Sequence, residues 1–380
     1  MPPIKTQNLT IATLFAGCGG KTIGAIAATG GTPIWAIEYE AEIAQLYARN
    51  VCDRIICKII LDVDPRNLRK PDKLLVSPPC PSFSACKIGR EETSNDRSLA
   101  QKICEFIKVL NPKYIFIENV RGYQNSNSYQ QLIAQLGHQN YYWDAQVVNS
   151  ADYGVPQTRE RLIVRASKEQ LPPLIQTHAK EPTITIWGER RAWIGWYEAL
   201  KDIIETLPEC KLANWQKTRM LDREVPPLAL IERSGARQQM QIRGATTPSF
   251  TIRAMSGNIR PSINQANILI SGQDGLPRID TDPSFTITSE KYINRILLAG
   301  GGQATPRSGG DPAITILANS SKGRILDDAK CYQVSVAALA RLQSFPDWYQ
   351  WSDKKSVNIR AIGNAVPPLL AEAIVRSMIS

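Results

Sequence analysis

The sequence is poor in histidine: His138 and His178 are the two in 380 residues. None of its eight cysteines forms a Cys-x-x-Cys pair, and no run of about 18 apolar residues occurs. The cysteine spacing and scarce histidine argue against a structural zinc site and against histidine-based acid–base catalysis. No membrane span is predicted, and the first residues lack a signal-peptide core. We therefore expect a cytoplasmic protein with reduced thiols and with no metal and no membrane partner.

The charge balance favours an acidic partner. Lysine and arginine total 45 against 35 aspartate and glutamate residues, which gives a formal net charge of +10. Such an excess favours a polyanion, nucleic acid before membrane, although many basic proteins bind neither. The length is sufficient for two domains.

The first 40 residues follow the pattern strand, glycine loop, helix, strand, acid. A strand over residues 9–15 leads into Ala16-Gly17-Cys18-Gly19-Gly20, a helix over 21–29 follows, and a strand over 33–37 ends at Glu38. The dinucleotide fingerprint would need glycine where Thr22 stands, and a phosphate-binding P-loop would need glycine where Phe15 stands. A loop that keeps the ribose-binding acid suits an adenosine ligand without a pyrophosphate, such as S-adenosylmethionine.

Further strands are each followed by a residue whose side chain could bind a ligand or take part in a reaction. A strand over residues 54–61 is followed by Asp62, and one over 113–117 is followed by Glu118. The apolar residues 74–76 lead into Ser77-Pro78-Pro79-Cys80-Pro81, where the prolines would hold Cys80 rigidly at a strand tip. Cys80 suits an aimed nucleophile, or equally a buried structural cysteine beside a turn. A helix over 98–110 and a strand over 162–164 complete an alternation typical of a doubly wound α/β sheet.

The composition changes near residue 166, where a region rich in Pro, Gly, Thr and Arg begins. The pattern Pro-x-[Phe/Ile]-Thr-Ile starts at Pro182, Pro248, Pro283 and Pro312, which predicts a β-rich second domain. No acid occurs between Glu232 and Asp274, a stretch that carries arginine and glutamine. These side chains suit phosphate contact and base readout, although a solvated basic surface is the alternative. Helical patterning returns over residues 334–343 and in a closing helix over 369–378.

Taken together, the chain resembles the DNA cytosine-5 methyltransferases over residues 1–165 and 334–380. Six motifs occur in the order found in that family: Phe15-Ala16-Gly17-Cys18-Gly19-Gly20, Pro79-Cys80-x-x-Phe83-Ser84, Glu118-Asn119-Val120, Gln157-x-Arg159-x-Arg161, Arg341-Leu342-Gln343-x-Phe345-Pro346-Asp347 and Gly363-Asn364-x-Val366-Pro367-Pro368. The resemblance implies a Rossmann-like class I methyltransferase domain over 1–165, a smaller β-rich target recognition domain over 166–333, and a return to the catalytic domain over 334–380.

The resemblance also implies roles for residues. Cys80 would add to C6 of a flipped-out cytosine, Glu118 would assist at N3, Arg161 would contact the base or the Cys80 region, and Arg159 would support it. S-adenosyl-L-methionine, converted to S-adenosyl-L-homocysteine, would be bound by Phe15, Gly17, Cys18, Gly19, Gly20, Glu38, Tyr39, Asp62, Val63, Pro79, Asn364 and Val366. We expect DNA contacts from Ser84, Arg233, Arg237, Gln238, Gln239, Gln241, Arg243, Arg253 and Arg260.

The expected partner is double-stranded DNA, which would associate the protein with the nucleoid. We expect a monomer, with a restriction endonuclease for the same site as a possible companion. Two rivals remain. A tRNA cytosine-5 methyltransferase has the same fold, but such relatives tend to have a small middle insert and Cys-Phe-Thr, whereas Lys211 follows Cys210 here. An inactive fold used as a scaffold is disfavoured by the intact Cys80, Glu118 and Arg161.

Overall fold

The computed structural model describes residues 8–79, 82, 92–208 and 334–379, together with the backbone of short strands between 229 and 333. The central sheet has seven strands: β1 (Thr10–Leu14), β2 (Thr32–Glu38), β3 (Ile55–Cys57), β4 (Lys73–Val76), β5 (Tyr114–Asn119), β6 (Tyr142–Asn149) and β7 (Glu160–Ser167). Their spatial order is β3-β2-β1-β4-β5-β7-β6. Strands β1 to β5 are parallel, whereas β7 runs antiparallel to both neighbours.

Helices cover both faces of this sheet. They are α1 (Gly20–Thr29), α2 (Ala41–Asn50), α3 (Ser94–Leu110), α4 (Asn127–His138), α5 (Trp196–Leu200), α6 (Val336–Leu342), α7 (Lys355–Asn364) and α8 (Pro368–Arg376). Short 3-10 helices occupy Ile60–Asp62, Pro65–Asn67, Arg121–Asn125, Ser150–Tyr153 and Ile204–Thr206. In the part of the chain that the structure describes, every helix is too short or too polar to span a bilayer. The mixed α/β architecture with a parallel core confirms the predicted fold class.

Successive residues of the central strands face opposite layers. In β4, Leu74 and Val76 join the cluster beneath α3 and α4, whereas Leu75 joins the cluster beneath α1 and α8. This follows from the two-residue period of a strand, and it explains why β4 and β5 are continuous apolar runs. Both faces are buried, so the sheet is rigid at the edge where its loops converge.

The C-terminal helices complete the layer that begins with α1. A methyl group on Gly24 of α1 would lie 2.3 Å from the carbonyl oxygen of Pro368, so only glycine permits this approach of α1 to α8. Near the C-terminus, Ser377 Oγ accepts from Nη1 of Arg165 of β7 at 2.8 Å, and Arg165 also pairs with Asp144 of β6. The two ends of the chain are therefore tied to one sheet.

Several predicted boundaries were wrong. The third strand was predicted over 54–61, but β3 has three residues and Asp62 lies in a 3-10 helix. Helix α3 begins four residues earlier than predicted, because Thr93 and Asp96 form a capping box. Strand β5 continues through Glu118 and Asn119, which lie within the strand rather than after it. Helices α2, α4 and α7 were not predicted.

The middle region begins with β structure. A small sheet contains β8 (His178–Ala179), β9 (Thr183–Thr185) and β10 (Gly188–Ala192). Backbone strands follow: β11 (Ala229–Ser234), β12 (Gln239–Gly244), β13 (Phe250–Gly257), β14 (Ile268–Leu269), β15 (Arg278–Ile279), β16 (Arg295–Leu298), β17 (Thr315–Asn319), β18 (Arg324–Asp327) and β19 (Lys330–Gln333).

The start of the middle region packs against the C-terminal helices. Strand β7 runs to Ser167, and Trp196 and Leu200 of α5 share a buried cluster with Leu339 of α6 and Ile362 of α7. The division at residues 166 and 333 remains a prediction.

Candidate active site at the carboxyl end of the sheet

Four neighbouring strands deliver the predicted site residues to one edge of the sheet. Phe15 and the glycine loop follow β1, Glu38 ends β2, the Ser77-Pro78-Pro79 turn follows β4, and Glu118 lies near the end of β5. Because these strands are parallel neighbours, their carboxyl ends form one continuous crevice, the position at which open α/β sheets bind ligands.

Glu38 is held by backbone amides of the loops on either side of it. The N–H of Gly17 donates to Glu38 Oε2 at 2.8 Å, and the N–H of Glu40 donates to Oε1 at 3.1 Å. Gly17 has φ of 55°, and a methyl group added to it would meet no other atom within 4 Å. The carboxylate is thus fixed at the mouth of the glycine loop, beside open space that a ligand can enter.

Gly19 and Gly20 make close packing contacts. A methyl group on Gly19 would lie 2.5 Å from Val51 Cγ2, and one on Gly20 would lie 2.3 Å from the carbonyl oxygen of Val366. The close contact of Gly20 with Val366, 346 positions apart in sequence, brings the C-terminal Gly363-Asn364-x-Val366 motif against the glycine loop. Two distant segments that the sequence motifs assign to one pocket are therefore adjacent.

Cys18 faces the protein interior. Its Sγ donates to the carbonyl oxygen of Ala361 at 3.4 Å, and Tyr349 Oη donates to the Cys18 carbonyl at 2.7 Å. Burial raises the pKa of the Cys18 thiol to about 12. Any contact of Cys18 with a cofactor would therefore come from its backbone. Val63 is likewise buried in the core beneath α3, which leaves its backbone as the part available to a ligand.

The remaining predicted cofactor residues fit an adenosine ligand. Tyr39, next to Glu38, is 66% exposed, and Ile59 and Leu61, close in sequence to Asp62, are also exposed large apolar side chains. Apolar surface beside two carboxylates suits a purine and a ribose, which have apolar faces and hydrogen-bonding edges. Phe15 is partly buried, whereas Asp62, Pro79 and Asn364 are exposed at the surface of this region.

On the other side of the crevice, Glu118 and Arg161 form an ion pair. Arg161 Nε lies 3.0 Å from Glu118 Oε1, and both side chains are largely buried. Arg161 Nη1 also donates to the Glu160 carbonyl at 2.6 Å. A pair in low-dielectric surroundings holds its carboxylate in one orientation. The structure thus unites two residues from separate motifs.

Asn119 connects β5 to the proline turn. Its Nδ2 donates to the carbonyl oxygen of Pro78 at 3.4 Å, and its Oδ1 accepts from the Val120 N–H at 2.8 Å. The turn that leads to Cys80 is therefore fixed relative to Glu118. Cys80 itself and Ser84 lie outside the described residues.

Arg159 and Gln157 point away from Arg161, towards the C-terminal segment. Arg159 is 2% exposed, and its Nη1 donates to the Gly363 carbonyl at 3.2 Å. Gln157 Nε2 donates to the Leu342 carbonyl at 3.2 Å and to Gln343 Oε1. Two of the three motif side chains therefore brace the segment behind the site, while Arg161 faces Glu118.

Apart from Ser84, the predicted DNA-contact residues fall in the middle region. Gln239, Gln241 and Arg243 occupy alternate positions of β12 and so share one face of that strand. Arg233 lies on β11 opposite Met240, and Arg253 lies on β13. Arg237, Gln238 and Arg260 lie outside the described residues.

Lys21 was missed as a site residue by sequence reasoning. It is 2% exposed, and its Nζ donates to the carbonyl oxygens of Leu14 at 2.8 Å and Phe15 at 2.9 Å, and to Ser77 Oγ. The available signal was a lysine inside a helix otherwise built of small and apolar residues.

Comparisons with known proteins agree with this geometry. The chain is 27% identical over 378 residues to the type II methyltransferase M.AplI of Arthrospira platensis, covering 98% of this chain and 86% of the relative. It is 26% identical over 389 residues to M1.HphI of Haemophilus parahaemolyticus, covering 99% and 88%.

Solved structures show the same fold. A DNMT2 triple mutant from Spodoptera frugiperda aligns with a TM-score of 0.58 at 14% identity, covering 97% of this chain and 99% of that one. The Dnmt2 methyltransferase of S. pombe aligns with a TM-score of 0.54 at 14% identity, covering 97% and 96%. The sequence profile of the C-5 cytosine-specific DNA methylase family matches residues 9–380. This chain therefore belongs to the C-5 cytosine-specific DNA methylase family, whose members methylate cytosine in DNA with S-adenosylmethionine as the methyl donor.

Proposed function

We propose that this chain methylates C5 of one cytosine within a specific double-stranded DNA sequence, through a covalent bond between Cys80 and C6. The observation that carries this proposal is the buried ion pair between Glu118 of β5 and Arg161 of β7; β5 also holds the turn that leads to Cys80, through Asn119. The carboxylate and the guanidinium come from two separate motifs, and the described part of the turn, up to Pro79, leads into a third. An inactive scaffold would not need this arrangement.

The chemistry explains why these groups are required. C5 of cytosine is a poor nucleophile, so the Cys80 thiolate first adds to C6 and makes C5 electron-rich. Glu118 in its protonated form assists this addition by donating a hydrogen bond or its proton to N3, and Arg161 holds the Glu118 carboxyl group in place. S-adenosylmethionine supplies the methyl group as an electrophile on its sulfonium. Water then removes the C5 proton, the C6–S bond breaks to release the Cys80 thiolate, and any proton gained at N3 returns to Glu118.

The cofactor-side residues divide into two groups. Glu38 would accept from the ribose, and Asp62 would accept from the adenine amino group, with Tyr39 contributing apolar surface. Phe15, Gly17 and Pro79, with the backbone of Cys18, Gly19, Gly20, Val63 and Val366 and the exposed Asn364, would complete the pocket. The Gly20–Val366 contact supports this assignment, because it closes the pocket from both ends of the chain.

The DNA side of the proposal assigns target recognition to residues 166–333. The target cytosine must leave the duplex, since C6 cannot be reached inside the base stack. The glutamines and arginine on one face of β12 suit base-edge and phosphate contacts. The relatives named type II methyltransferases suggest a restriction–modification setting with an endonuclease for the same site.

Methylation-sensitive sequencing of DNA from cells that express the chain tests the proposal. We expect 5-methylcytosine at one recurrent short sequence, and none in cells that express Cys80→Ala. Methylation of cytosines that share no recurrent surrounding sequence would contradict recognition of a specific DNA sequence. Unmodified DNA together with 5-methylcytosine in tRNA would overturn the choice of substrate.

A further inference from the structure

Lys21 lies between the two halves of the site and makes three hydrogen bonds. Its Nζ reaches two backbone carbonyls at the end of β1 and the Ser77 hydroxyl after β4. An ammonium group has three N–H donors, so each donor has one acceptor. A buried ammonium is costly unless fully paired, and this one is placed where its pairing joins two functional loops.

One end of this linkage holds a strained turn. Phe15 has φ of 52°, a left-handed conformation that is unfavourable for a residue with a bulky side chain. The Leu14 and Phe15 carbonyl oxygens on either side of that φ angle both accept from Lys21 Nζ. The ammonium therefore offsets the strain, and it fixes the direction of the Phe15 side chain at the mouth of the cofactor loop.

The other end of the linkage holds the proline turn. Ser77 is the residue before Pro78-Pro79-Cys80, and its Oγ accepts from the same ammonium. Asn119 of the neighbouring strand β5 donates to the carbonyl oxygen of Pro78, the next residue of this turn. The turn is thus fixed from two sides, once by β5 and once by α1.

The charge environment of Lys21 includes two carboxylates on the neighbouring strands β2 and β5. Burial lowers the pKa of Lys21 to about 7, while the charges of Glu118 and Glu38 oppose this shift. The neutral amine has two N–H donors and cannot serve three acceptors. Its linkage should therefore weaken as the pH rises above about 7.

We propose that Lys21 is a positioning residue, which fixes the cofactor loop at Phe15 and the nucleophile turn at Ser77 relative to each other. This inference rests on the proposed function, because it concerns the alignment of the two reactants of that reaction. The reacting atoms of the methyl donor and the cytosine must lie about 3–3.5 Å apart for transfer, so one shared ammonium controls both binding of the donor and the rate of transfer.

The test compares Lys21→Met, Ser77→Ala, Ser77→Thr and the double variant Lys21→Met/Ser77→Ala with the wild-type chain. Lys108→Met, at an exposed helical position of α3, is the matched control. Calorimetry gives the Kd of S-adenosylhomocysteine, and single-turnover methylation of duplex DNA gives the rate of transfer. Both are measured between about pH 6 and pH 8, about one unit on either side of the Lys21 pKa of about 7.

We expect Lys21→Met to weaken S-adenosylhomocysteine binding and to slow transfer, each on the order of tenfold or more. Ser77→Ala should slow transfer several-fold while the Kd changes by less than about twofold, and Ser77→Thr should restore the rate. The double variant should be no slower than Lys21→Met, because both changes break one linkage. The affinity of the wild-type chain for S-adenosylhomocysteine should fall above about pH 7, whereas the affinity of Lys21→Met should lack this pH dependence.

Equal Kd and rate in Lys21→Met and Lys108→Met, with an active wild-type chain, would overturn the inference alone. Additive losses in the double variant, or failure of Ser77→Thr to restore the rate, would also overturn it. If Lys21→Met does not fold, the inference is tested by the two variants Ser77→Ala and Ser77→Thr and by the pH dependence of cofactor-product binding to the wild-type chain. A wild-type chain that binds the cofactor product but never methylates DNA would instead contradict the proposed function.

Discussion

Replacing Glu38 with glutamine tests the cofactor side of the site most sharply. The side chain keeps its shape, but one oxygen becomes an amide group that donates. Since Oε2 accepts from Gly17 and Oε1 from Glu40, one of these two backbone N–H groups must lose its acceptor. Hydrogen bonds to a charged group contribute about 1.5–3 kcal/mol each, so the glycine loop should loosen at Gly17.

The expected result is a loss of S-adenosylhomocysteine affinity on the order of 10- to 100-fold, because both the carboxylate and the loop geometry change. Isothermal titration calorimetry measures this directly. Glu205→Gln, an exposed carboxylate on the 3-10 helix after α5, is the control and should bind like the wild type. Unchanged affinity in a folded Glu38→Gln protein would remove Glu38 from the cofactor site and would refute the reasoning from the carboxyl ends of the strands.

Three further predictions address catalysis, DNA binding and stability. Glu118→Gln should keep cofactor-product binding but slow transfer on the order of 10²–10³-fold, and an undiminished rate in single-turnover assays would exclude its role at N3. Replacing Arg243 or Arg253 with alanine should reduce the salt slope of DNA binding by about one or relax the sequence preference; a variant that matches wild type in both titrations does not touch DNA. Burial raises the pKa of the Cys104 thiol from 9.0 to about 11, so the unfolded chain ionises first and the free energy of unfolding should fall across that pH range. Urea unfolding of Cys104→Val should show a smaller fall; an identical slope would mean that other groups cause it.

The sequence predicted the parts of the site that depend on local pattern. The glycine loop, the acid at the end of β2 and the proline turn after β4 each follow an apolar run, and parallel pairing alone brings such strand ends together. The motif order then assigned the family. The same local logic predicted helix α1 and the closing helix to within one or two residues.

The parts that the sequence did not predict depend on tertiary contacts. The strand predicted over residues 54–61 is apolar enough, but only Ile55–Cys57 pair with β2 before the chain turns. Gly19 and Gly20 also have a packing role that no local pattern indicates, because their lack of side chains admits Val51 and the Val366 carbonyl. Lys21 has no motif of its own, and its importance depends on a strained φ angle and on a serine 56 positions away.

The proposed role of Cys80 as the nucleophile is tested most directly by trapping the covalent intermediate. A duplex with 5-fluorocytosine at the target position cannot lose fluorine as a cation, so elimination is blocked after methyl transfer. We predict an adduct that survives denaturing electrophoresis, requires S-adenosylmethionine and maps to Cys80, while Cys80→Ala forms none yet still binds the cofactor product. An active Cys80→Ala enzyme, or an adduct on another cysteine, would contradict the account.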